Sequence, residues 1–212
     1  MRILVAGATG NTGARLVKAL AEAGHAPVAM VRESSDTSVL PAGCETRLAD
    51  LADLPASVAR DVDAVIFAAG SGGHTGDDVT DKVDRDGAIA LIDAAAHAKV
   101  GRFVMLSSVG ADDPSKGPDT LRHYLEAKHT ADEHLKSADV EHVIVRPISL
   151  SDDSGNGLVS LAELVDRDGE VTRDDVAAVL AASVTQAGLG GKVFEMAAGK
   201  TPVARAMAEV AA

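Results

Sequence analysis

The stretch "HYLEAKH" at residues 123–129 sets Tyr124 and Lys128 four residues apart. On a helix that spacing puts both side chains on one face, one turn from each other. An ammonium beside a phenol favours the phenolate, so the pairing predicts a phenol pKa below its usual value of about 10 and a tyrosine that exchanges protons near neutrality. A second constellation, "GATGNTG" at residues 7–13, follows directly on an apolar run at residues 3–6. There Gly7 permits a tight turn, Gly10 lets backbone approach a diphosphate, and Gly13 lets a helix pack closely on the strand. The unpaired amides at the helix start, around Asn11 and Thr12, then face the diphosphate with the positive end of the helix dipole. A second apolar run ends in "AMVRE". About 20 residues after such glycines an acidic side chain would hold a ribose 2′-hydroxyl, whereas an arginine accommodates a 2′-phosphate. Arg32 stands there, with Glu33 beside it. A guanidinium forks onto phosphate oxygens, so NADP(H) is the expected cofactor, with Thr9 as a helper. The competing reading of Arg32 is an ordinary solvated side chain at a strand end.

Short apolar runs alternate with longer amphipathic ones along the chain, without a repeat of fixed period. The expected strands are 3–6, 27–31, 45–48, 64–69, 102–107, 142–146 and 193–196, and the expected helices 12–23, 83–98, 121–137 and 173–184. Leu16, Val17 and Leu20 give the first helix its apolar stripe, and Gly24 stops it. Right-handed crossovers wind such elements into a doubly wound parallel sheet, an α/β Rossmann fold in three α/β/α layers, here expected as one domain over residues 1–212. Substrate-side loops are expected at 70–78, 110–118 and 149–172, the last opening with the polar stretch 149–157. All follow carboxyl ends of strands, where open α/β sheets bind ligands.

Composition removes other classes. The net charge of −12, from 32 acidic and 20 basic residues, opposes a polyanionic partner, and aromatics at 2% offer no stacking platform, so nucleic acid is not expected. No apolar stretch is long enough to span a membrane, and Arg2 leads straight into a strand pattern, so a cytoplasmic protein is expected. The one cysteine, Cys44, fits a reducing compartment. His123, His129 and His134 lack the i, i+4 spacing of a helical zinc pair and are read as surface residues, with His123 a candidate for the pocket; no metal is expected.

The evenly spaced glycines, followed in order by "VRE", "FVMLSSVGADDP", "YLEAK" and "VRPISL", resemble the short-chain dehydrogenase/reductase superfamily. Within it the chain is similar to the atypical NmrA-like or biliverdin-reductase-B-like NAD(P)H-binding group, from Arg2 to about Gly199. The resemblance implies that Lys128 also contacts the nicotinamide ribose and that a serine closing the fifth strand binds the substrate oxygen. Ser108 matches the catalytic serine better and Ser107 would present backbone to the nicotinamide, although spacing leaves the reverse open. Asp50 and Leu51 resemble an adenine-contacting pair, with Asp50 as a helix N-cap the alternative. Ala68, Ala69 and Gly70 would let the adenosine ribose lie against backbone, or serve packing alone. Pro147 and Ile148 match a segment passing the nicotinamide face, Pro147 reading equally as a strand terminator. The implied activity is hydride transfer to a small carbonyl, quinone or flavin-like acceptor, Tyr124 supplying the proton and Ser108 steadying the oxyanion. The alternative is a regulator that senses NADP(H) without turnover, as a monomer or homodimer. A nucleotide-sugar epimerase is disfavoured because about 65 residues follow residue 147.

Overall fold

The computed structural model describes residues 1–71 and 76–212. The chain runs β1 (Arg2–Ala6), α1 (Asn11–Glu22), β2 (Ala26–Val31), β3 (Glu45–Leu48) and β4 (Ala64–Phe67). Then come α2 (Asp77–Thr80), a π-helical segment (Asp81–Gly87) and α3 (Ala88–His97), which form one continuous helical stretch. The remainder is β5 (Arg102–Leu106), α4 (Arg122–Ser137), β6 (His142–Pro147), β7 (Leu150–Ser151), β8 (Leu158–Ala162), β9 (Val171–Thr172), α5 (Arg173–Thr185), β10 (Lys192–Ala198), β11 (Thr201–Pro202) and α6 (Val203–Ala211).

Nine strands form one sheet in the order β11-β8-β10-β6-β5-β4-β1-β2-β3. Helices cover both faces, which is why central strands read as unbroken apolar runs. In β1, Ile3 and Val5 pack with Leu16, Leu20 and Leu180 of α1 and α5, while Leu4 and Ala6 pack with Leu91, Ile92 and Leu135 of α3 and α4. Gly24, at φ +81°, ends α1 by donating its amide to Ala21 O at 3.0 Å, the conformation that makes glycine the favoured stop. The winding direction reverses between β1 and β4, and ligands of such sheets lie outside the strands' carboxyl ends at that switch.

Several sequence expectations are corrected. The sheet is not wholly parallel: β8 runs antiparallel to β10, and β11 antiparallel to β8. Residues 149–172 are accordingly no simple loop, since β8 forms the return to the edge and β7 pairs in parallel with β9 in a separate two-stranded sheet. These strands are two to five residues long and mix buried positions such as Val159 and Val171 with exposed ones, so they lack the unbroken apolar run of the central strands. The expected helix 83–98 begins six residues earlier, within the expected loop 70–78, whose residues 72–75 lie outside the described residues. Helix α6 has no counterpart among the expected elements. Among the described residues, no helix is long and apolar enough to cross a membrane.

Candidate functional site

A cavity of about 1200 Å³ runs along the carboxyl ends of the strands, past the β1/β4 switch. Its floor is the glycine turn. Gly7 adopts φ +79°, and a Cβ there would stand 2.6 Å from Ala69 Cα, so the ends of β1 and β4 approach as closely as bare backbone allows. Gly10, the N-cap of α1, supplies no side-chain cap, and the turn it opens lines the cavity together with Thr9, Asn11 and Thr12. The first-turn amides of a helix have no intrahelical partner, so this arrangement suits an anion. A Cβ on Gly10 would meet only Gly7 O, at 3.3 Å, and otherwise open space. Gly13 does not face the cavity: it is buried behind the turn, where a Cβ would lie 1.9 Å from Gly7 O.

Arg32 is exposed at one end of the cavity, with Ser35 Oγ accepting its backbone amide at 3.0 Å. Among the described residues its guanidinium has no carboxylate partner. Asp50 and Leu51 line the same end, and Ala68, Ala69 and Gly70 form the wall beside the glycine turn. No helix follows Asp50. Its carboxylate accepts the Ala52 amide at 3.0 Å and so caps a tight turn, which replaces the helix N-cap alternative. These residues have the shape and donor set that a dinucleotide requires, with bare backbone at the turn and a free guanidinium beyond it.

At the other end Tyr124, Lys128, Ser107, Ser108, Pro147 and Ile148 meet on the cavity. Lys128 is 2% exposed, and its Nζ lies 2.9 Å from Oδ1 of the fully buried Asp84. It also donates to Leu106 O at 3.3 Å. The second Asp84 oxygen accepts the Ser71 amide at 2.9 Å. Burial opposes the charge on both partners, but each holds the other ionised: the Asp84 carboxyl stays below its ordinary range and the Lys128 ammonium above.

This pair corrects the expected effect on Tyr124. Burial pushes the phenol above its ordinary value; Lys128 and a hydrogen bond with Ser108 pull it down, while Asp84 and Asp132 push it further up. Nζ stands 5.8 Å from the Tyr124 ring centroid but in contact with a carboxylate, so much of its field at the phenol is cancelled.

The two serines part company at the end of β5. Ser107, 3% exposed, donates its hydroxyl to Asp132 Oδ2 at 2.8 Å, and the same oxygen accepts Arg146 Nη2 at 2.9 Å and Nε at 3.1 Å. Its side chain therefore belongs to a buried network. The Ser108 hydroxyl donates to Val109 O at 3.2 Å and shares the cavity lining with Tyr124. Asp84 and Asp132 were not foreseen. Each carried a signal, however: Asp84 shares the helical spacing of buried Ala88, Leu91 and Ala95, and Asp132 stands four residues beyond Lys128. The histidines of α4 are partnered rather than merely solvated, His129 Nδ1 lying 2.8 Å from Ala111 O and His134 2.7 Å from Asp93. His123 does not line the cavity, and lies 3.0 Å from Asp81. Among the described residues no group of His, Cys, Asp or Glu is placed to hold a metal ion.

Comparison with known proteins agrees with this geometry. A family model described as NAD(P)H-binding matches residues 7–187. The uncharacterized sugar epimerase YhfK of Bacillus subtilis is 40% identical, over 98% of this chain and 99% of that protein. A solved Bacillus halodurans protein, provisionally classed as an NAD-dependent epimerase/dehydratase, superposes with a TM-score of 0.92 at 40% identity, over 99% of both chains. The oxidoreductase ylbE of Lactococcus lactis superposes with a TM-score of 0.88 at 30% identity, over 99% of this chain and 96% of that one. With a glycine turn at the β1/β4 switch of a mostly parallel sheet, and a match over most of its length, the chain belongs to the NAD(P)H-binding family of Rossmann-fold proteins.

Proposed function

We propose that the protein is an NADP(H)-dependent reductase of a small, largely apolar carbonyl, quinone or flavin-like acceptor. The observation that carries the reading is the convergence of Tyr124, Lys128 and Ser108 on the same cavity as the glycine turn and Arg32. That cavity, at about 1200 Å³, exceeds the roughly 300–1,000 Å³ usual for one ligand, which is room for a dinucleotide and an acceptor.

In this reading the α1 amides hold the diphosphate, Arg32 forks onto the 2′-phosphate, and Asp50, Leu51 and residues 68–70 receive the adenosine. Lys128, held by Asp84, would contact the nicotinamide ribose, and the Ser107 backbone, Pro147 and Ile148 would flank the nicotinamide. A bound reduced nicotinamide supplies the hydride. The Ser108 hydroxyl donates a hydrogen bond to the acceptor oxygen, and the Tyr124 hydroxyl delivers the proton that oxygen takes up.

The epimerase names among the relatives suggest a second direction, in which chemistry begins by removing a proton from a substrate hydroxyl. That step needs a phenolate, and burial holds the Tyr124 phenol in its protonated form. A protonated phenol suits a donor, hence reduction. Val79, Val83, Pro118, Leu121 and Leu125 give the cavity an apolar wall, which suits an apolar acceptor.

The test is NADPH oxidation against a panel of quinones, flavins, aldehydes and ketones, with the wild type and Tyr124→Phe side by side. Turnover that falls by about 10²–10⁴-fold in the variant supports the reading. NADPH binding without turnover of any acceptor refutes it in favour of a nucleotide sensor.

A further inference from the structure

Among the described residues, five cationic side chains border the cavity: Arg32, Lys116, Lys128, Arg167 and Arg173. Three are committed elsewhere. Lys128 is held by buried Asp84, Arg167 pairs with Glu195, whose side chain is 3% exposed, and Lys116 projects into solvent beside Asp113. Arg32 marks the adenosine end. Arg173 remains, and we infer that it is a direct ligand of the cofactor diphosphate, an inference that rests on the dinucleotide reading above.

Its position follows from a chain of contacts. Arg173 Nη1 lies 3.1 Å from Asp152 Oδ2, and Asp152 Oδ1 lies 3.4 Å from Arg15 Nη2. Arg15 in turn donates Nη1 to the carbonyl of Asn11, the first residue of α1, at 2.7 Å. The Arg173 guanidinium is thus linked through the Asp152 carboxylate and the Arg15 guanidinium to the start of α1, and it lines the same cavity as Gly10, Asn11 and Thr12. Local structure fixes it there. The β7–β9 pairing sets Leu150 beside Val171 and Ser151 beside Thr172, and Thr172 caps α5 by accepting the Asp175 amide at 3.1 Å. The small sheet that the sequence hides as loop therefore fixes the start of α5, which carries Arg173.

Charge explains why such a residue is needed. A helix N-terminus supplies roughly half an elementary charge, less than a diphosphate carries. The net charge of −12 makes the long-range field of the chain repel an anion. Arg173 is 21% exposed and lines the cavity, where its partners are Asp152, itself 59% exposed, and the Leu150 carbonyl at 3.5 Å. With its carboxylate largely in solvent the pair is weak and yields its arginine to a stronger anion.

The experiment is titration calorimetry on the full chain, comparing wild type, Arg173→Gln, Arg173→Lys and Arg32→Ala. The probes are NADPH, NADH and adenosine 2′-monophosphate, which carries the 2′-phosphate but no diphosphate. Losing one charge-assisted hydrogen-bonding group predicts that Arg173→Gln weakens NADPH and NADH equally, by about tenfold, with adenosine 2′-monophosphate unchanged and most of the affinity restored in Arg173→Lys. Unchanged binding of both dinucleotides to Arg173→Gln overturns the inference. So does equal weakening of all three probes, which is the signature of damage to the fold. A wild type that binds neither dinucleotide removes the reading underneath, and the inference with it.

Discussion

Replacing Asp84 with asparagine probes the pair that holds Lys128. Asp84 is fully buried and Lys128 is 2% exposed, so water screens neither charge. Removing one partner of such a pair strands the other, at about 3–5 kcal/mol. In a chain of this length each kcal/mol moves the melting midpoint by about 2–4 °C, so a drop of at least about 6 °C is expected. Lys128→Met strands the carboxylate instead and has a similar effect. The double variant buries no unpaired charge and should lie well above the sum of the two losses, with a coupling of about 2 kcal/mol or more. Urea unfolding followed by circular dichroism at neutral pH, on the wild type and all three variants, reads this directly. Losses that add to within about 0.5 kcal/mol would refute the reasoning, because the pair would then behave like two independent exposed charges.

Three further outcomes are expected. Arg32→Ala weakens NADPH at least about tenfold and leaves NADH nearly unchanged, since a charge-assisted pair to phosphate is lost in only one case; equal weakening in calorimetry rejects the NADP(H) preference. Gly13→Ala gains about 1 kcal/mol of helix propensity but drives a methyl to 1.9 Å from Gly7 O, an overpacking of about 1–3 kcal/mol or more, so unfolding should occur at lower urea and NADPH binding should weaken. The Asp84 carboxyl is depressed in the folded state, so its stabilisation is present above the unfolded value near 3.9 and lost as pH falls through the lower folded value. Lys128 is raised, so its stabilisation is lost as pH climbs above about 10.4 through the folded value. The stability gap between wild type and Asp84→Asn should therefore narrow at both ends of a pH series, and a flat gap contradicts the assignment.

The glycine turn and its surroundings were legible because the contacts that shape them are local. A turn, a helix start and a strand end are adjacent in sequence, and glycine is required there by contacts within a few residues, as Gly13 against Gly7 illustrates. The central strands were legible because burial on both faces leaves an apolar run of fixed length. Tyr124 and Lys128 were found by helical spacing alone. Their electrostatics was not, because burial dominates it and because the carboxylate paired with Lys128, Asp84, is 44 residues away in sequence and reaches it only when the π-helical segment packs against α4. The antiparallel strands β8 and β11, the β7–β9 pair and the placement of Arg173 were likewise beyond a linear reading, since half-buried strands of two to five residues acquire their identity from a distant partner. The sequence by itself determined the alternation of elements, the glycine turn and the helical spacing that sets Tyr124 and Lys128 on one face. Tertiary structure alone decided how deeply Tyr124 is buried and which carboxylate pairs with Lys128, and these together push the phenol above its ordinary value, because burial and electrostatics depend on distances between residues that the order of the chain does not encode.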